Sequence, residues 1–311
     1  MRIGTMIGEV SPHGSGLDAI LAQVRRAERD GLHTAWFPHV FGVDALTVAA
    51  LAGRVTSRIE LGTAVVPTFS RHPIAMAQQA LTAQAAASGR FVLGIGLSHQ
   101  IVIETMFGLS FARPFTHMKE YVAVLAPLIR SGACSFAGTE FRVNATVQVA
   151  GASPCPLLLA ALAPKMLALA GSEGDGTITW MTGPKTLRDH TIPGLQEAAS
   201  RAGRPAPRIV AGMPIAVTDD VKSARERAAS VFQVYGALPS YRAMLEREQV
   251  AGPAEIAMVG DEAAVGEQVE RLGQLGVTDL LAAPFATGTD ALGSLDRTYR
   301  FLAGLAARFG S

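Results

Sequence analysis

Short apolar runs alternate with longer stretches in which apolar residues recur at helical spacing, from one end of the chain to the other. The short runs fall at 2–7, 34–37, 59–65, 91–94, 157–161, 176–179, 209–217 and 279–283. They are mostly apolar rather than strictly alternating, as strands buried on both faces are. Helices are predicted between them at 17–30, 44–54, 74–88, 116–130, 164–172, 185–202, 219–235 and 262–275. Strand and helix in turn is the signature of repeated βα units around a parallel sheet. A doubly wound open sheet would give the same alternation, but eight units favour an α/β fold of the closed (β/α)8 TIM-barrel type.

Punctuation residues support these boundaries. Gly31 can end the first helix, Pro73 and Pro164 can occupy first helical turns, and Asp219 can cap the helix that follows it. Two segments break the pattern. The stretch 131–155 has Gly132, Gly138, Gly151 and Pro154 around Phe136, Phe141 and Val143, and reads as a small hairpin or lid; 237–260 reads as a second insertion. The 311 residues exceed the roughly 250 of a typical barrel by about what insertions and an extra helix add, so a single domain over 1–311 is expected. That extra helix is predicted at 290–309, with Leu295, Phe301, Leu302 and Leu305 inward, against the barrel or a second subunit. A homodimer is the expected assembly.

Composition narrows the function. With 49% hydrophobic and 17% charged residues, the chain has material for a large core. Its 27 basic residues against 26 acidic ones are scattered, which argues against nucleic acid as a partner. Cys134 and Cys155 are the only cysteines and lack metal-ligand spacing, so no metal is expected and a reducing cytoplasm fits. Residues 1–8 read as a strand rather than a signal peptide, and no long unbroken apolar run suggests a membrane span.

Candidate chemistry lies at strand ends, where barrels place their functional groups. Gly94-Ile95-Gly96-Leu97-Ser98-His99 follows the fourth strand, but His99 stands where a dinucleotide fingerprint needs its third glycine. It is either an ordinary tight turn or a place where a flat ring lies close to the backbone, with Ser98 and His99 as polar contacts. His39 ends the second strand and is either a ring contact and acid or a hydrogen-bonded structural histidine. Thr63, Ala64 and Val65 lie between Gly62 and Pro67, a composition suited to a bulge and equally to a plain strand end. Ala160-Ala161-Leu162-Ala163-Pro164-Lys165 leads into a helix whose N-terminus is either a simple helix start or a phosphate site with Lys165 beside it. Asp175 reads as a turn or capping residue, and no Walker, GxSxG or HExxH motif occurs.

Taken in order, several phrases resemble the luciferase-like monooxygenase superfamily, in particular its oxidoreductases dependent on coenzyme F-420 (F420, an 8-hydroxy-5-deazaflavin). They are Gly62 to Thr68 with Arg71-His72-Pro73, Ser88 to Gly96, Ala160 to Met166, and Ala170-Gly171 with Gly174-Asp175-Gly176. The resemblance implies a non-proline cis peptide near Ala64 and Val65, a ring contact at His39 and a phosphate loop over Ala161, Leu162, Ala163, Lys165 and Met166. His99 falls where relatives acting on a sugar phosphate carry a catalytic glutamate, and Ala163 where glycine is common. The first departure puts sugar-phosphate chemistry in doubt, because imidazole and carboxylate differ in charge near pH 7.

The expectation is therefore an enzyme that moves a hydride between the deazaflavin and a small-molecule substrate. Its catalytic candidates are His39 and His99, with Glu9 as an outside candidate; its cofactor contacts are His39, Thr63, Ala64, Val65, Gly96, Ser98 and the phosphate loop. Two alternatives stand beside it: an FMN-dependent monooxygenase using O2 and a partner reductase, and a flavin-binding protein without turnover. An aldolase or isomerase barrel would usually call for a lysine or paired carboxylates at strand ends, and the sequence offers no such lysine inside a strand.

Overall fold

A computed structural model of the chain describes residues 1–8 and 16–309. Glu9 lies outside them. The strands are β1 Arg2–Met6, β2 Thr34–Phe37, β3 Glu60–Thr63, β4 Val66–Pro67, β5 Phe91–Gly96, β6 Ala133–Ala137, β7 Arg142–Thr146, β8 Leu157–Leu159, β9 Gly176–Trp180, β10 Arg208–Val217, β11 Met258–Gly260 and β12 Asp279–Pro284. Parallel pairing runs β12-β1-β2-β3-β5-β8-β9, and β10 joins β9 to β12, closing an eight-stranded barrel. The third barrel strand is split into β3 and β4 around the Ala64–Val65 peptide, which is cis.

Period-two alternation sorts the strand residues onto two faces. Ile3, Leu61, Phe91, Leu93, Leu157, Ile209 and Leu280 point outward and form the main core with the surrounding helices. Trp36, Val92, Leu158, Ile178, Val210 and Leu281 form a second, separate cluster inside the barrel. Trp36 is fully buried there. A Cβ on Gly62 would come within 2.3 Å of its Cζ3, and one on Gly4 within 2.8 Å of its Nε1, so both glycines make room for the indole.

Below Trp36, at the strands' first residues, sits an ionic layer. Arg208 donates to Asp279 (2.9 and 2.5 Å) and to Glu60 (2.6 Å), and Arg2 donates to Glu60 (3.0 Å). The Arg208 guanidinium also lies 5.5 Å from the Trp36 ring. Burial works against its charge, but the hydrogen bonds from both carboxylates outweigh burial and raise its pKa.

The insertions take definite shapes. β6 and β7 pair as the expected antiparallel hairpin, and its turn is held by Glu120, which accepts from the N–H groups of Thr139, Glu140 and Phe141. Helix Val221–Val231 stops short of the predicted 235, and its cap is Asp220, accepting from Ser223 N; Asp219 instead pairs with Arg297. Helices Gln233–Ala237 and Pro239–Glu248 follow, and β11 pairs with the far end of β10. The second insertion thus ends in an added strand rather than an open loop. Between β5 and the helix Pro114–Arg130 lies a further short helix, Gln100–Thr105, that the apolar pattern does not predict. The predicted helix 185–202 passes through a π-helical turn, Leu187–Thr191, just before Pro193, which has no N–H for the regular ladder. The terminal helix Ala291–Phe309 packs on the barrel, where Thr298 accepts from Val217 N.

Two stability predictions follow from these contacts. Gly62→Ala forces a methyl against an immobile indole and should cost about 1–3 kcal/mol in urea unfolding; the cost should shrink when Trp36 is also replaced by Phe. His117, buried, stacked 3.8 Å from Phe69 and 3.1 Å from Thr68 Oγ1, has its pKa pushed down to about 4 by burial, opposed by Glu120. The unfolded chain therefore takes a proton below about pH 6.5 that the native state refuses until about pH 4. Stability should fall as pH drops through that window, by up to about 3 kcal/mol, and His117→Phe should flatten the profile.

Candidate active site

Closure of the barrel floor by Trp36 leaves the inward positions near the strand C-termini to line a cavity of about 1090 Å³. Met6, Ala64, Val65 and Ala160 pack on the interior cluster and form its apolar floor. The loop after β8 and the helix Pro164–Ser172 form one end, through Ala161, Leu162, Ala163 and Met166. Ser98, in the left-handed region at φ 61, and His99 form a side.

The helix end has the properties of an anion site. Ala163 occupies the cap position in extended conformation and supplies no side-chain cap, so the first-turn N–H groups meet no competing carboxylate or hydroxyl from the cap residue. His190, from the π-helical turn, donates from Nε2 to Leu162 O at 2.8 Å and fixes the loop.

Of the residues singled out in the sequence, Ala64, Val65, Gly96, Ser98, His99, Ala161, Leu162, Ala163 and Met166 line this cavity. Three do not. Thr63 is fully buried, and its hydroxyl donates to Gly94 O (2.8 Å) and accepts from Gly94 N (2.9 Å). Lys165 is exposed, its ammonium 5.9 Å from the Phe115 ring. His39 stands behind the mouth while its neighbours Pro38 and Val40 line it. Its Nδ1 accepts from Ala45 N at 3.2 Å, and its Nε2 lies 3.4 Å from Arg71, which pairs with Asp44. Asp44 in turn caps the helix Ala45–Val55. His39 thus contacts the network that caps this helix.

The glycines of the fourth barrel strand serve packing. A Cβ on Gly94 would lie 2.1 Å from Thr63 O, and one on Gly96 2.7 Å from Val65 Cγ2 and 3.2 Å from Ala160 Cβ. The room they leave is taken by the split third strand. Gly96 nevertheless keeps the floor flat beside Val65.

Sequence reasoning missed the opposite wall. Trp180 ends β9, Phe285 follows β12, Phe232 ends the helix Val221–Val231, Tyr235 lies on Gln233–Ala237 and Tyr241 on Pro239–Glu248 within the second insertion; all five line the cavity. The ring of His99 lies 5.7 Å from that of Tyr241. Burial lowers the His99 pKa, so the ring is neutral at pH 7. The available signal was Trp180, one residue beyond a predicted strand end. Among the described residues no cluster of three His, Cys, Asp or Glu is placed to hold a metal, and no helix is long and apolar enough to cross a membrane.

A barrel whose strand ends enclose a cavity with an apolar floor and an uncapped helix end has the layout of a ligand-binding enzyme barrel. A family model for luciferase-like monooxygenases matches residues 1–290, and the chain belongs to that family. It is 30% identical over 236 residues to an F420-dependent glucose-6-phosphate dehydrogenase of Intrasporangium calvum, covering 73% of this chain and 69% of that protein. It is 25% identical over 262 residues to a 5,10-methylenetetrahydromethanopterin reductase of Methanolobus tindarius, covering 84% and 79%. Matches to curated relatives span 62% to 79% of the first two relatives' own lengths. Among solved structures, the coenzyme F420-dependent tetrahydromethanopterin reductase of Methanopyrus kandleri shares the fold, with TM-score 0.81 at 20% identity over 100% of this chain and 99% of that one.

The helix end gives a prediction with opposite signs. Ala163→Asp supplies the missing cap and should stabilise the fold by about 0.5–2 kcal/mol in thermal melting. The same carboxylate should weaken binding of a phosphate-bearing ligand such as FMN or F420 by roughly tenfold or more.

Proposed function

We propose that the protein is an F420-dependent oxidoreductase that transfers a hydride between the deazaflavin and a small organic substrate. The observation that carries this is the joining of a flat apolar floor to an uncapped helix N-terminus within one cavity of about 1090 Å³. That volume exceeds the roughly 300–1,000 Å³ of an ordinary ligand pocket, so a tricyclic cofactor leaves room for a second molecule. The F420 dependence of the curated relatives supports the choice of cofactor.

The residues fit the group. Ala64, Val65, Gly96 and Ala160 offer a surface without projecting side chains for a planar ring, and the backbone at Leu162 and Ala163 meets the phosphate. Bound there, the deazaflavin would supply two-electron hydride chemistry. The chain's part is to orient both molecules, exclude water with the aromatic wall, and move a proton. His99, at the cavity side and neutral at pH 7, is the residue assigned to that proton, with Ser98 as a neighbouring hydrogen-bonding group. His39 acts at most by holding the mouth. A cytoplasmic homodimer completes this reading, and sedimentation of the purified protein tests the dimer.

Trp180 lines the cavity, so intrinsic fluorescence reports its filling. F420 should quench it with an affinity roughly tenfold or more above that of FMN. The reverse order would make the protein a flavin monooxygenase, and quenching by neither would remove the cofactor assignment.

A further inference from the structure

Of the chain's 13 Phe, 4 Tyr and 2 Trp, seven line one cavity, and Trp180, Phe232, Tyr235, Tyr241 and Phe285 among them form one contiguous group. Trp180 stands 5.9 Å from Tyr235 and 6.1 Å from Phe232, both edge-on; Tyr235 stands 5.1 Å from Tyr241; Phe232 stands 5.6 Å from Phe285. Edge-to-face contacts at these separations are the favoured aromatic geometry. They make a continuous wall facing the space above the apolar floor.

The wall carries little charge. Arg26, at the cavity's edge, is bound to Asp296 at 2.7 Å and lies against the Tyr299 ring. Glu104 accepts from Gln100 at 3.0 Å. Lys165 is turned outside. The remaining ionisable groups on this side, His99, Tyr235 and Tyr241, are neutral near pH 7, with burial lowering the first and raising the two phenols. An anionic substrate placed here would lose hydration while the nearest cation, Arg26, is already paired with Asp296.

The geometry points to a substrate subsite bounded by Trp180, Tyr235 and Tyr241 that takes a flat, uncharged aromatic molecule in preference to a sugar phosphate or other anion. This rests on the reading of the cavity as an oxidoreductase site, and it deepens that reading by naming the substrate class. A planar ring meets the wall with its edge and face while its rim stays within reach of His99. A saturated molecule of equal size gains burial but not the quadrupole contacts. Tyr235 and Tyr241 sit on the helices Gln233–Ala237 and Pro239–Glu248 rather than on barrel strands, so they set specificity without holding the floor.

Three probes with one carbon skeleton test this by calorimetry on the cofactor-free protein in excess inorganic phosphate, which fills the helix end: 2-naphthol, decahydro-2-naphthol and 2-naphthyl phosphate. The expected result is 2-naphthol binding roughly tenfold or more tighter than either of the others. Tyr241→Leu and Tyr235→Leu should close most of the gap to the saturated probe, while Tyr241→Phe, which keeps the ring, should preserve it. Equal affinities for 2-naphthol and decahydro-2-naphthol, or tightest binding of the phosphate, in the unaltered protein would overturn the proposal. So would a gap that persists in correctly melting Leu variants. A separate F420 titration keeps the two readings apart, since loss of F420 binding with the naphthol preference intact sinks the cofactor and leaves the aromatic subsite.

Discussion

The ion-paired layer at the base of the barrel is the contact on which the rest depends. Arg208, Asp279, Glu60 and Arg2 each occupy the first position of a strand, and alternation turns all four inward. Charges removed from water are stable only when their partners satisfy them, and here the two arginines and two carboxylates do so in a closed group. The layer closes one end of the barrel and supports Trp36 from below. Because that end is filled by charge and indole, empty space is left only where the strands finish. The position of the active site is therefore a consequence of how the other end is packed.

Much of this was legible in the sequence. Eight short apolar runs gave all eight barrel strands, because parallel strands covered on both faces need uninterrupted hydrophobicity. Gly31, Pro73 and Pro164 marked real helix ends, since each has a local backbone reason for its place. The hairpin at 131–155 followed from its glycines. Asp219 and Asp220 could not be told apart as caps, because adjacent identical residues carry the same local signal and the choice was made by Arg297, 78 residues away.

The site was less legible, for a physical reason. Strand ends announce which residues reach the mouth, but not which of them turn toward it. His39 and His99 look alike as histidines beyond strands, yet one is drawn into the Asp44 and Arg71 capping network while the other stays at the cavity. Thr63 satisfies the backbone of the adjacent strand, a role that needs the third dimension to be seen. The aromatic wall was missed because the predicted helix 219–235 kept Phe232 and Tyr235 on one straight element, whereas the helix breaks at Phe232 and two short helices bring Tyr235 and Tyr241 together.

The second insertion is fastened to the rest of the molecule at defined points. Glu248 accepts from the N–H groups of Lys185 and Thr186, and β11 continues the sheet alongside β10 before the next helix begins. The segment between Phe232 and Met258 is thus a cassette: its second half is clamped to the scaffold, while its first half, from Phe232 to Tyr241, lines the cavity. A change confined to this cassette would reshape one wall of the cavity and leave the apolar floor and the ionic base as they are.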